Sequence, residues 1–302
     1  MTDWKDPQIR AIREIMAGMA RSVDEPEPSV QELRGPMDAM GAATAPPEGC
    51  RVEAMTLGGR PAERLTPKDA VAGEVILFLH GGGYCIGSLA SHRALAARLA
   101  EATRCAAVVP DYRLAPEHPF PAAVDDALAA WRDLLDSGAE PARAVIAGDS
   151  AGGGLTFATA VAAREAGLPM PAALLGISPW ADLAQTGASY AAKAQSDTMI
   201  TKAGLDLFSS TYLAGADARH PLASPLFADL AGLPPTLIQV GGEESLLSDS
   251  AGMAQALGLA GVDVTLRIWP EMIHVWHFFA PRLTAGQAAT DEAGAWLRGR
   301  LA

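Results

Sequence analysis

Residues 148–152 read Gly148-Asp149-Ser150-Ala151-Gly152, and residues 80–84 read His80-Gly81-Gly82-Gly83-Tyr84. A serine between two glycines, after a short apolar run and before an Ala-rich one, marks a sharp strand-to-helix turn that pushes its hydroxyl out at the top of a sheet. Such a serine can attack a carbonyl carbon if a base takes its proton and prearranged donors hold the resulting oxyanion. The glycine run suits the second need. The backbone N–H groups of Gly82 and Gly83, with that of Ala151 at the start of the following helix, are expected to converge on one oxygen, where the helix dipole adds its positive end. The loop lacks the Lys-Ser/Thr of a phosphate loop and the spacing of a dinucleotide fingerprint. Gly176-Ile177-Ser178 and Gly187-Ala188-Ser189 also begin Gly-x-Ser, but neither has the second glycine. Ser150 is the expected nucleophile.

The base should be one of the six histidines. With the serine at such a turn, the partners follow in the order serine, acid, histidine. That order sets aside His80, His92 and His118, and His220 falls in an irregular stretch. His274 and His277 remain, and His274 follows an apolar strand and the Pro270-Glu271-Met272 turn, the loop position expected of the base. His274, His277 and Glu271 as metal ligands would lack a second cluster, so neither a metal nor a cofactor is expected. The acid should lie after the apolar run 236–240, where Glu243, Glu244 and Asp249 are candidates. Spacing does not choose among them, and Asp249 also suits the start of the next helix.

The elements that must position these residues are apolar runs alternating with helical patterns. Strands are expected at 51–57 and 60–65 (a hairpin over Gly58-Gly59), 75–79, 106–109, 144–147, 172–177, 236–240 and 263–268. Helices are expected at 89–102, 122–136, 151–166, 249–260 and 285–301. Continuously apolar strands separated by helices specify an α/β fold, a mostly parallel sheet flanked by helices on both faces. Ahead of this pattern, Ile9, Ile12, Ile15 and Met16 form a helical stripe, Asp24-Glu25-Pro26-Glu27-Pro28 interrupts it, and a second helix is expected at 28–40. Between Trp180 and about Phe227 the alternation lapses. Both pieces are expected to act as a lid.

The chain has 302 residues, enough for a full core, with 49% hydrophobic and 19% charged residues. Its formal charge of −12 and lack of a basic patch speak against nucleic acid as a partner. No stretch approaches a membrane span and the opening Met1-Thr2-Asp3-Trp4 is not that of a signal peptide. Three cysteines, Cys50, Cys85 and Cys105, without CxxC spacing fit a reducing compartment, and the expected location is the cytoplasm. Cys85, near the glycine loop, is expected to be a small buried hydrophobe.

These residues resemble the hormone-sensitive-lipase-like esterases (bacterial family IV) of the α/β-hydrolase superfamily. Besides the two glycine motifs, the resemblance is carried by Asp111-Tyr112-Arg113-Leu114-Ala115-Pro116-Glu117, Ser178-Pro179-Trp180, Leu233-Pro234-Pro235 and Met272-Ile273-His274-Val275-Trp276. It implies an α/β-hydrolase fold with a helical cap, a catalytic domain over 46–302, and a cap made of 1–45 and an insertion at about 182–225. It maps the acid onto Glu244, where many relatives carry aspartate, the base onto His274, and the oxyanion hole onto Gly82, Gly83 and Ala151. Asp197 matches a cap aspartate and is read as structural, while Tyr84 and Trp180 are expected to wall the substrate pocket. The implied activity is carboxylic-ester hydrolysis of short- to medium-chain acyl esters through a Ser-His-Glu triad. Lactone hydrolysis by the same residues is the alternative, and a hormone-receptor role of the same fold is disfavoured because His274 is present. A homodimer through the strand near 263–268 is also implied.

Overall fold

The computed structural model describes residues 5–19 and 28–301. The readings of Met1–Trp4 and of the interruption at 24–27 therefore lie outside the described residues. One sheet of eight strands runs in the order β1-β2-β4-β3-β5-β6-β7-β8. Its members are β1 (Arg51–Leu57), β2 (Arg60–Thr66), β3 (Val75–Leu79), β4 (Ala106–Pro110), β5 (Ala144–Asp149), β6 (Ala173–Ile177), β7 (Thr236–Gly241) and β8 (Val264–Trp269). The β1–β2 hairpin joins β4 antiparallel, and every pairing from β4 to β8 is parallel. The helices are α1 (Pro7–Met19), α2 (Val30–Ala42), α3 (Leu89–Thr103), α4 (Ala122–Asp136), α5 (Ser150–Glu165), α6 (Ser189–Ala192), α7 (Lys202–Leu213), α8 (Leu247–Leu259) and α9 (Thr284–Arg298).

Alternation along each strand divides the core into two layers. Ile76, Phe78, Val145, Leu175 and Leu237 pack with Leu95 of α3 and Leu297 of α9. Leu77, Leu79, Ile146, Leu174 and Ile238 pack with Trp131 of α4, Phe157 of α5 and Met253 of α8. All residues of β3 to β7 are buried, as two covered faces require. β8 is the edge strand at that end of the sheet and is only partly covered, with Ile268 exposed.

The N-terminal helices have their own reasons to form. Ile9 and Ile12 bury the α1 stripe against Ile273, Trp276 and Leu283, the segment around and after His274. Ser29 and Glu32 make a reciprocal capping box that starts α2 two residues later than expected, after Pro28. α2 lies along α3, and Arg34 donates to the Cys85 and Ala115 carbonyls and pairs with Glu117. Between β6 and β7 stand α6, α7 and irregular chain.

Candidate active site

β5 delivers the chain to Ser150, which opens α5 with φ +54. A side-chain-bearing residue in the left-handed region costs roughly 1–3 kcal/mol and persists only where surrounding structure over-determines it. Here the turn is so tight that a Cβ on Gly152 would strike the Leu79 and His80 carbonyl oxygens. That collision is the physical reason for the glycine two residues after the serine.

Ser150 Oγ lies 2.9 Å from His274 Nε2. On the far side of the ring, His274 Nδ1 stands 3.4 Å from Glu244 Oε2, an ion-pair separation longer than a good hydrogen bond. Glu244 and His274 both stand on loops at the carboxyl ends of strands, Glu244 three residues beyond β7 and His274 five beyond β8. Serine and imidazole meet because the parallel order β5-β6-β7-β8 puts those ends side by side. Burial by itself lowers the His274 pKa, but the facing Glu244 carboxylate, with Asp197 and Asp149 behind, outweighs it and holds the ring above the ordinary imidazole value. Burial raises the Glu244 pKa, offset in part by its contacts with His274 and Ser178.

The glycine loop runs directly against the serine. A Cβ built on Gly81 would come within 3.0 Å of Ser150 Cβ. Gly81 N–H is shared between Asp149 Oδ1 and His92 Nε2, each at 3.2 Å, so the residue before the serine and a histidine of α3 anchor the loop. Gly82 and Gly83 both have positive φ, and Phe208 of α7 presses on Gly83, where an added Cβ would stand 2.6 Å from its ring. Among the described residues, the N–H groups of Gly82, Gly83 and Ala151 are not spent on hydrogen bonds within the protein. His80 is stacked on Tyr112 at 4.1 Å, and burial lowers its pKa to about 3, so it is neutral.

The other acid candidates stand apart. Glu243 pairs with Lys193, 3.2 Å away, both half-buried. Asp249 is buried in the first turn of α8, accepts the amides of Ala181 and Asp182, and receives the Tyr190 hydroxyl at 2.7 Å. Asp197 accepts the Met199 and Ile200 amides with one oxygen and the Ser245 amide, at 2.7 Å, with the other. It thus pins the residue following Glu244.

Three expectations change or gain detail. Tyr84 and Trp180 are each 1% exposed and belong to the main core cluster. Tyr84 has a positive φ, and its ring stacks on Tyr212, 3.9 Å between centroids. Cys85 is buried, and burial pushes its thiol up to about 12. His277 turns away from His274 to Gln239, and Glu271 binds the Lys5 and Asp6 amides. Sequence reasoning passed over Ser178, His92 and Asp149; Asp149, 68 residues beyond Gly81, and His92 converge on the Gly81 amide.

A cavity of about 770 Å³ lies between α1, α2, α3 and the segment after His274. Its walls are largely apolar, with Met16, Met37, Met40, Leu95 and Phe278 among them. It adjoins the glycine loop through Ile86, whose carbonyl packs against Gly82.

Sheet order, the serine at the β5–α5 turn and the histidine beyond β8 define an α/β hydrolase. The α/β hydrolase fold family matches residues 76–278. The chain is similar to an acetyl-hydrolase of Streptomyces hygroscopicus, 45% identical over 293 residues, 97% of this chain and 96% of the relative. It is similar also to the carboxylesterase NlhH of Mycobacterium tuberculosis, 36% identical over 238 residues, 75% of this chain and 74% of the relative. The crystal structure of an esterase from the bacterial hormone-sensitive lipase family superposes with a TM-score of 0.95 at 40% identity, covering 99% of this chain and 100% of that one. The chain belongs to the α/β-hydrolase-fold family, in its hormone-sensitive-lipase-like branch of bacterial esterases.

Proposed function

We propose that this protein hydrolyses carboxylic esters by two-step acyl transfer, with Ser150 as nucleophile, His274 as base and Glu244 as the acid that orients it. The observation that carries the reading is the 2.9 Å contact between Ser150 Oγ and His274 Nε2. In the first step the Ser150 proton passes to His274 Nε2 while Oγ bonds to the ester carbonyl carbon. The carbonyl oxygen takes up negative charge against the Gly82, Gly83 and Ala151 N–H groups. Collapse breaks the bond to the alcohol, which leaves with the proton from His274. Water, deprotonated by His274, then releases the acid and regenerates Ser150. Glu244 keeps Nδ1 protonated and stabilises the imidazolium.

The substrates proposed are short- to medium-chain acyl esters, with lactones as the alternative because ring opening asks the same chemistry of Ser150. Residues 1–45 and about 182–225 are proposed to form one cap over the 46–302 domain. Two contacts support it: Arg13 of α1 donates to the Ser196 carbonyl, and Phe208 reaches Gly83. A homodimer is proposed through the open edge at β8, where Ile268 is 49% exposed. Among the described residues, no helix is long and apolar enough to cross a membrane. The test is a panel of p-nitrophenyl esters from acetate to palmitate together with five- to seven-membered lactones. The reading expects a maximum at short or medium acyl esters. A maximum at palmitate would reject the chain-length proposal, a lactone maximum would select the alternative, and hydrolysis of none of them would reject the function.

A further inference from the structure

Ser178 follows β6 with φ +46, fully buried, in a turn bonded to Glu244, to the residue after His274 and to the Ser150 carbonyl. Its hydroxyl donates to Glu244 Oε2 at 2.9 Å and accepts the Val275 amide at 3.2 Å. Its own N–H donates to the Gln239 carbonyl at 2.7 Å, and two residues on, Trp180 N–H donates to the Ser150 carbonyl at 2.8 Å. The direction of the chain of bonds is fixed by chemistry. An amide can only donate and a carboxylate can only accept, so the hydroxyl proton must point at Glu244.

We propose that Ser178 is a positioning residue for the acid: by bridging the Glu244 carboxylate and the amide next to His274, its hydroxyl sets where Oε2 stands relative to the imidazole. The proposal rests on the Ser150-His274-Glu244 reading. Glutamate has one more rotatable bond than aspartate, so a glutamate in this place needs an extra restraint to hold its carboxylate in one orientation. Glu244 Oε1 has no hydrogen-bond partner among the described residues. Oε2 is 3.4 Å from Nδ1, so His274 alone is a weak tether. Ser178 supplies the short bond. A donor at Oε2 also favours the ionised carboxylate, countering the burial that favours its protonated form. Because Val275 has φ +45 and directly follows His274, the same hydroxyl ties the acid and the base loop to one atom.

The test is a double-mutant cycle on steady-state hydrolysis of p-nitrophenyl butyrate, using Ser178→Ala, Glu244→Ala and the double variant, with thermal melts of each. Removing a hydrogen bond to a charged group should lower kcat about 10- to 100-fold with KM nearly unchanged. In the Glu244→Ala background the same change should alter kcat less than about twofold, since the hydroxyl then has no carboxylate to place. Ser178→Gly, which suits the left-handed turn and also lacks the hydroxyl, should behave like Ser178→Ala and serves if that variant does not fold. A kcat within twofold of wild type in both hydroxyl-free variants overturns the proposal. So does an equal loss in the two backgrounds, which would mark a general packing role. If Glu244→Ala itself matches wild type, the fault lies in the assignment of the acid.

Discussion

Glu244 Oε2 lies 3.4 Å from His274 Nδ1, and the Asp197 carboxylate holds the next amide, that of Ser245, at 2.7 Å. The acid is therefore steered from two sides, by the insertion through Asp197 and by the β6 turn through Ser178. Glu243, its neighbour in sequence, points instead to Lys193.

Replacing the three acids one at a time should separate them. Glu244→Ala should lower kcat roughly 10³–10⁴-fold with little change in melting temperature. Glu243→Ala, which loses a partly exposed ion pair with Lys193 and an attraction to Arg13, should stay within about twofold. Asp249→Ala leaves buried amides and a tyrosine hydroxyl without their acceptor and should cost roughly 2–5 kcal/mol of stability. Kinetics and melts of the three variants check this, and a larger kcat loss for either of the other two would displace Glu244.

The pH profile carries a second expectation. In the proposed mechanism the neutral imidazole is the base, and Glu244 holds the His274 pKa above its ordinary 6.5. As pH falls through that raised value the ring protonates and kcat/KM drops, so the acid limb should lie above 6.5. Glu244→Gln removes the charge that raises it and should move the limb downward. Profiles of kcat/KM from pH 5 to 9 for both proteins test the shift; a limb that does not move contradicts it.

In the glycine loop, an alanine Cβ at Gly82 would strike the Ile86 carbonyl, and its φ of +114 suits glycine. Gly82→Ala should therefore displace the oxyanion donors, lowering kcat roughly 10²–10³-fold while the fold persists. Circular dichroism alongside the kinetics distinguishes this from unfolding; wild-type kcat would contradict the role of the loop.

Asp249 offers a stability test. Burial outweighs its hydrogen bonds and raises its carboxyl from 3.8 to about 8. The folded state then keeps a proton that the unfolded chain gives up. The stabilising contribution is complete below about 3.8 and is lost as pH rises through about 8. Asp249→Asn removes this dependence, so its melting temperature should gain on wild type between pH 5 and 9. A difference that stays constant with pH would contradict the buried, protonated carboxyl.

Much of the fold was legible in the chain because buried parallel strands announce themselves as unbroken apolar runs. Helix 122–136 matches its expected bounds, and β3 is the expected 75–79. The meeting of Ser150 and His274, 2.9 Å apart, was expected from a local motif and chain order. Contacts that depend on three dimensions were not. Ser178 reads as a decoy Gly-x-Ser, yet its partners are Glu244, 66 residues away, and Val275, 97 residues away. The stacking of Tyr84 on Tyr212, 128 residues on, was equally out of reach, because residue type does not reveal which way a backbone turn points a ring. The insertion stayed vague because α6 has only four residues and shows no period.

Ser150 is expected to form the acyl-enzyme. This is tested most directly by comparing wild type and Ser150→Ala in p-nitrophenyl butyrate hydrolysis, with a fluorophosphonate probe mapped by mass spectrometry. The expected result is a loss of roughly 10⁵-fold or more in kcat at an unchanged melting temperature, and a probe adduct on Ser150 that is absent from the variant. Hydrolysis at the wild-type rate by Ser150→Ala, or an adduct on another residue, would contradict it.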